Sequence, residues 1–106
     1  MLQLTAQNFD SEIHGSSLVI VMFYANWCSK CAIMKPVYES LEKKYRSQIK
    51  FCSLDIERFP VLAQTYEAEI VPMFVFFKSG QIEAAFAGIL DETVFDNRPQ
   101  KIFRNC

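Results

Sequence analysis

Residues 18–25 form an unbroken apolar run that leads through Asn26-Trp27 into Cys28-Ser29-Lys30-Cys31, and a helical pattern starts directly behind it. No other stretch constrains the fold as much. A short apolar run without alternation reads as a strand covered on both faces, the central position of an α/β sheet. Strand, tight loop and helix in that order set two thiols at the mouth of the sheet. One of them falls at a helix N-terminus, where free backbone N–H groups favour an anion. A thiolate is such an anion and is the nucleophilic form of cysteine, so Cys28 is expected to react.

The rest of the composition narrows the setting. With 106 residues, half of them hydrophobic and ten of them Phe, the chain can fill the core of one domain spanning residues 1–106. A formal net charge of −1 with both signs interspersed gives no electrostatic case for nucleic acid or an anionic membrane. No apolar run approaches the roughly 20 residues of a membrane span. The chain does not open with a basic stretch followed by an apolar core, so a reducing cytoplasm is the expected location. In that compartment paired cysteines serve catalysis or metal binding more often than structure.

The remaining pattern alternates. Residues 2–5 read as a short strand. Thr5 then N-caps a helix with Phe9 and Ile13 on its apolar face, ended by Gly15. His14 in its last turn is a surface cation near the negative helix end. Residues 29–47 read as a helix whose buried stripe is Met34, Val37, Tyr38, Leu41 and Tyr45, with a kink at Pro36. Glu39 with Lys43, and Glu42 with Arg46, form i,i+4 pairs on its solvated face. Residues 49–56 form a strand with Phe51, Ser53 and Asp55 on one side and Cys52, Leu54 and Ile56 on the other. Cys52 reads as a small buried hydrophobe. A helix over residues 57–68 follows, with Pro60 in its first turn. Residues 73–77 and 81–87 make an antiparallel hairpin around Lys78-Ser79-Gly80. A last helix starts at Asp91 and is expected to break or kink at Pro99, leaving a basic-leaning tail. The order β-α-β-α-β-α-β-β-α implies a three-layer α/β/α sandwich around a mixed sheet, its first three strands parallel.

Two cysteines at i and i+3 on a helix start can close a small disulfide ring. Closure leaves Cys28 outermost and exposed, with Cys31 shielded beneath the first turn. Such a pair works in two steps: Cys28 attacks a substrate disulfide, and Cys31 resolves the mixed disulfide. Lys30 adds a cation to the same turn, a small bias toward the Cys28 thiolate because an exposed charge is well screened. A zinc site would need a second cysteine pair, which Cys52 and Cys106 do not form, so no metal and no cofactor are expected. Trp27 beside the thiols offers a flat apolar surface to a polypeptide. Pro72, opening an apolar strand, either starts that strand or, if its peptide bond is cis, exposes the Val71 backbone to an extended substrate.

At these residues the chain resembles the thioredoxin family. The matching positions are Phe23, Ala25, Trp27-Cys28, Cys31, Pro36, Val71-Pro72, Phe77-Lys78, Gly80 and Gly88. The resemblance implies a cis Pro72, a nucleophilic Cys28, a resolving Cys31 and a substrate groove made by Trp27, Val71-Pro72 and Ala87-Gly88. It implies a monomeric protein-disulfide reductase, a redox carrier in electron transport. Its partners would be disulfide-containing client proteins and a thioredoxin reductase that restores the dithiol.

Four positions depart from the family pattern. Ser29-Lys30 stands where Gly-Pro is usual, and Met22 replaces a buried Asp. Ser53 falls where a Lys or Glu partner is common, and Pro99 precedes an irregular tail. A thioether cannot take a proton from Cys31 as a carboxylate can, so Met22 predicts a stable fold with slow resolution. An oxidase or isomerase of the same fold, favoured by Ser29-Lys30, is one alternative. A non-catalytic adaptor using the same groove is another, disfavoured because an adaptor needs neither thiol. A glutaredoxin fits Trp27 less well.

Overall fold

The computed structural model describes residues 1–103. The apolar run becomes strand β2, Leu18–Tyr24, paired on both edges: parallel to β3, Lys50–Asp55, and antiparallel to β4, Met73–Lys78. β1, Leu2–Gln3, lies parallel to β3 on the far edge, and β5, Gln81–Ala87, closes the other edge antiparallel to β4. The strand order is therefore β1-β3-β2-β4-β5.

Because side chains alternate along a strand, β2 feeds two cores at once. Val19, Val21 and Phe23 join one cluster with Phe9 and Ile13 of helix α1, Phe9–His14, and Ala63 of helix α3, Pro60–Thr65. Ile20 and Met22 join the other, with Cys31, Met34, Tyr38 and Leu41 of helix α2, Ser29–Tyr45, and Phe95 of helix α4, Glu92–Phe103. Helices thus cover both faces, as the three-layer reading requires. Aromatic rings dominate each core: Tyr66 stacks obliquely on Phe9 and Phe23, and on the opposite face Phe95 meets Phe74 edge-on at 4.6 Å between centroids.

Several local expectations are corrected. The first helix begins at Phe9, not directly after Thr5. Thr5 still organises the turn before it: Asn8 N–H donates to Thr5 Oγ1 (3.2 Å) and Thr5 N–H donates to Asn8 Oδ1 (2.7 Å), the reciprocal pattern of a capping box. Gly15 is the C-cap, with a right-handed φ of −78°. The third helix is limited to Pro60–Thr65, because Ile56–Arg58 form a turn, fastened where Glu57 N–H donates to Asp55 Oδ1 (2.9 Å). Glu42 binds the Met1 amino group (2.9 Å) rather than Arg46. Pro36 falls inside α2, as expected, at an exposed position. α4 passes Pro99 without breaking and reaches Phe103. The end of the expected tail, Cys106 included, lies outside the described residues. The hairpin turn needs positive φ at Ser79 (51°) and Gly80 (80°), and a Cβ at Gly80 would meet the His14 ring at 2.3 Å.

Candidate active site

β2 ends at Tyr24 and the chain turns through Ala25–Trp27 to Cys28, the N-cap residue of α2. Cys28 is extended (φ −88°, ψ 113°), which aims its side chain back at the first helical turn. There its Sγ accepts the Cys31 N–H at 3.1 Å. A sulfur takes the place that Ser or Asp fills in most helix caps. A helix N–H directed at sulfur stabilises negative charge on it, since the first N–H groups have no other partner.

The two thiols are both free and both enclosed. In this dithiol form the two are enclosed almost equally, Cys28 at 8% exposure and Cys31 at 5%. The cause is the loop before β4: the Cys28 S–H donates to the Val71 carbonyl at 3.5 Å, which lies across the sulfur. Burial, and next the hydrogen bond with Cys28, pushes the Cys31 thiol up to about 12.

The other residues singled out in the sequence fall around this pair unequally. Trp27 is 68% exposed, so its ring faces solvent. Ser29 and Lys30 are exposed on the first turn of α2. The Val71–Pro72 bond is cis, and both residues are buried. Gly88 (φ +96°) donates its N–H to the Pro72 carbonyl at 2.9 Å, and Ala87 pairs with Met73 at the end of the hairpin. Met22 and Ser53 are register partners on β2 and β3 and both are buried, on the face toward α2.

Behind the thiols lies a cavity of about 240 Å³, bordered by Met22, Ser53, Ala25, Cys28, Cys31 and Lys35. Sequence reading did not find it, because a void depends on how three elements pack. Nor did it find that Asn26 Nδ2 donates to Asp55 Oδ2 (3.4 Å), tying the loop before Cys28 to the end of β3. The sequence signal for that contact is Asp55 at the end of β3, directly after Leu54. Exposed Ile33, Ile70 and Ile89 lie within two residues of Cys31, Val71 and Gly88, and sequence patterning gave them no role.

Chemically, the arrangement offers two neighbouring sulfurs, Cys28 receiving a helix N–H and Cys31 holding its proton more tightly because it is buried. The described residues contain no helix long and apolar enough to cross a membrane. Comparison with known proteins agrees with this geometry. The family model described as Thioredoxin matches residues 1–98. Thioredoxin-1 of Saccharomyces cerevisiae is 37% identical over 84 residues, covering 79% of this chain and 81% of that protein. The chloroplastic thioredoxin Y2 of Arabidopsis thaliana is 34% identical over 87 residues; the match covers 81% of this chain but about half (52%) of the relative. In structure, a single-substitution mutant of the thioredoxin from Halobacterium salinarum superposes with a TM-score of 0.87 at 24% identity, covering 95% of this chain and 88% of that one.

Proposed function

The chain belongs to the thioredoxin family, and on that premise we infer that it is a thiol–disulfide oxidoreductase acting through Cys28 and Cys31. The observation that carries the assignment is the Cys31 N–H aimed at Cys28 Sγ at 3.1 Å. It makes Cys28 the better thiolate, hence the attacking sulfur, and leaves Cys31 as the resolving one.

In the reaction the Cys28 thiolate attacks a substrate disulfide, forming a mixed disulfide and releasing one substrate thiolate. Cys31 then attacks Cys28 Sγ, closing the Cys28–Cys31 disulfide and releasing the second. Two electrons pass from the pair to the substrate, and no cofactor beyond the pair is needed. Exposed Trp27, Ser29, Lys30 and Ala87 surround the enclosed sulfurs, with Val71-Pro72 and Gly88 shaping the floor, and an extended polypeptide fits that surface. The substrates are therefore disulfide-bearing proteins. Each turnover must be followed by two-electron re-reduction, the task of a thioredoxin reductase, and such electron transport belongs in a reducing cytoplasm. The family resemblance further suits a monomer.

The test is the reduction potential of the Cys28–Cys31 couple, measured by equilibration with glutathione or a reference dithiol. A strongly reducing value is expected. A value near the oxidising end would replace reductase with oxidase or isomerase, and failure to form the disulfide would leave a binding adaptor.

A further inference from the structure

The resolving step requires Cys31 to lose a proton while Cys28 is tied up in the mixed disulfide. Nothing that lines the cavity behind Cys31 is an obvious base. Its lining holds no carboxylate and no histidine. The titratable groups facing it are Cys28, Tyr24, Lys35 and the Met1 amino group, and the last is engaged by Glu42. Met22, across from Cys31, offers a thioether. Asp55 is the nearest buried carboxylate in sequence on β3, but both of its oxygens are taken, by Asn26 Nδ2 and Glu57 N–H.

One polar atom there is unaccounted for. Ser53 is 1% exposed, borders the cavity, and its Oγ has no hydrogen-bond partner among the described residues. A buried hydroxyl left unpaired is costly, so such groups nearly always have a partner, either protein or ordered water. The cavity, about 240 Å³ and partly polar, has room for several waters at roughly 30 Å³ each.

We propose that Ser53 is a positioning residue for resolution: its hydroxyl holds cavity water against Cys31, and that water carries the thiol proton out to solvent. The proposal rests on the dithiol reading above. In the step, Cys31 S–H gives its proton to a water bonded to Ser53 Oγ, and the proton leaves through the cavity mouth. The Cys31 thiolate forms the bond to Cys28 Sγ while the bond from Cys28 to the substrate sulfur breaks. The substrate sulfur departs with the electron pair as a thiolate. The Cys31 thiol, raised by burial, has the most to gain from a water held in place.

The experiment is stopped-flow reduction of an excess of 5,5′-dithiobis(2-nitrobenzoate) by the full chain. Attack by Cys28 depends on reagent concentration; attack by Cys31 on the mixed disulfide gives a second phase that does not. Cys31→Ser identifies that phase by removing it. Ser53→Ala is expected to slow the second phase about tenfold at neutral pH, below the 10²–10⁴ of a dedicated general base, and to leave the first phase unchanged. The deficit should close as pH rises and hydroxide reaches Cys31 unaided, and Ser53→Thr should restore the rate. An unchanged second phase in Ser53→Ala overturns the proposal. So does a deficit constant across pH, or a Ser53→Thr protein as slow as Ser53→Ala, because either means packing rather than proton transfer. A wild-type protein with no second phase would overturn the dithiol reading itself.

Discussion

Cys31 and Cys52 lie on opposite faces of the same sheet, and the comparison separates what burial does to a thiol from what makes a thiol useful. Both are enclosed, Cys31 at 5% exposure and Cys52 at 0%, and burial pushes each thiol up to about 12. Cys31 sits on the first turn of a helix, hydrogen-bonded to a second sulfur and bordering a cavity. Cys52 sits mid-strand among Val21, Leu54 and Phe77, with no second cysteine in that cluster among the described residues. Burial sets how tightly each proton is held. Neighbours decide whether losing it leads anywhere.

The largest test of that contrast is turnover. Cys31→Ser should abolish dithiothreitol-driven insulin reduction and leave Cys28 trapped as a mixed disulfide, seen by mass spectrometry. Cys52→Ala should reduce insulin at the wild-type rate, at a stability cost of about 1 kcal/mol for the small cavity left. Lost activity in Cys52→Ala would erase the distinction between the faces.

Met22→Asp sharpens the Cys31 side. A carboxylate placed beside the cavity supplies the general base that a thioether cannot, and the resolving phase at neutral pH should accelerate by about 10²-fold. The same Asp, buried without a charge partner, should lower the urea midpoint by an amount corresponding to about 1–3 kcal/mol. A resolving phase equal to or slower than wild type would show that proton removal does not limit that step.

How much of this was legible beforehand differs between strands and site. β2 could be read from residues 18–24 because a strand covered on both faces must be apolar throughout, and the hairpin because Ser79-Gly80 supplies the positive φ its turn needs. Cys28 and Cys31 were readable since i,i+3 spacing on a helix start is local geometry. The enclosure of Cys28 was not, because it depends on Val71, 43 residues away, laying its carbonyl across the sulfur. Pro99 misled in the same way: its helix-breaking tendency is local, whereas α4 is anchored by tertiary contacts, with Lys44 and Tyr45 hydrogen-bonded to Asp96 and Phe95 sunk into the core. The Glu42–Met1 pair joins residues whose proximity only the finished sheet creates.

In stability, unlike catalysis, the two thiols should behave alike. Cys31 and Cys52 titrate near 9.0 when free and at about 12 in the folded chain. Between those values the folded protein keeps protons that the unfolded chain has released, so stability falls as pH rises through that window. The contribution of each thiol is complete below pH 9.0 and lost toward about 12. Urea unfolding of the reduced protein at about pH 8 and about pH 11 should therefore show a steeper loss than the same measurement on Cys31→Ala or Cys52→Ala. Equal slopes for wild type and Cys52→Ala would mean that Cys52 reaches water in the folded state.

The smallest effect belongs to the residue that touches both sides of the comparison. Tyr38, fully buried on α2 three positions before Leu41, donates its hydroxyl toward the carbonyls of Ile20 (2.9 Å) and Cys52 (2.8 Å). It therefore pins the helix that carries Cys31 to the two strands behind it. A single hydroxyl proton is shared between two carbonyls that also belong to the sheet ladder, so Tyr38→Phe removes one bond without leaving a bare donor. The expected loss is about 1 kcal/mol, the usual net worth of one hydrogen bond, and the urea midpoint measures it. Because Tyr38 acts through the backbone of β2 and β3 and not through either sulfur, reduced and oxidised protein should lose the same amount. The potential of the Cys28–Cys31 couple, which is the difference between those two states, should then stay where it is. A shifted potential in Tyr38→Phe would show that the seating of α2 on the sheet tunes the thiols, and that the two faces are coupled through this one hydroxyl.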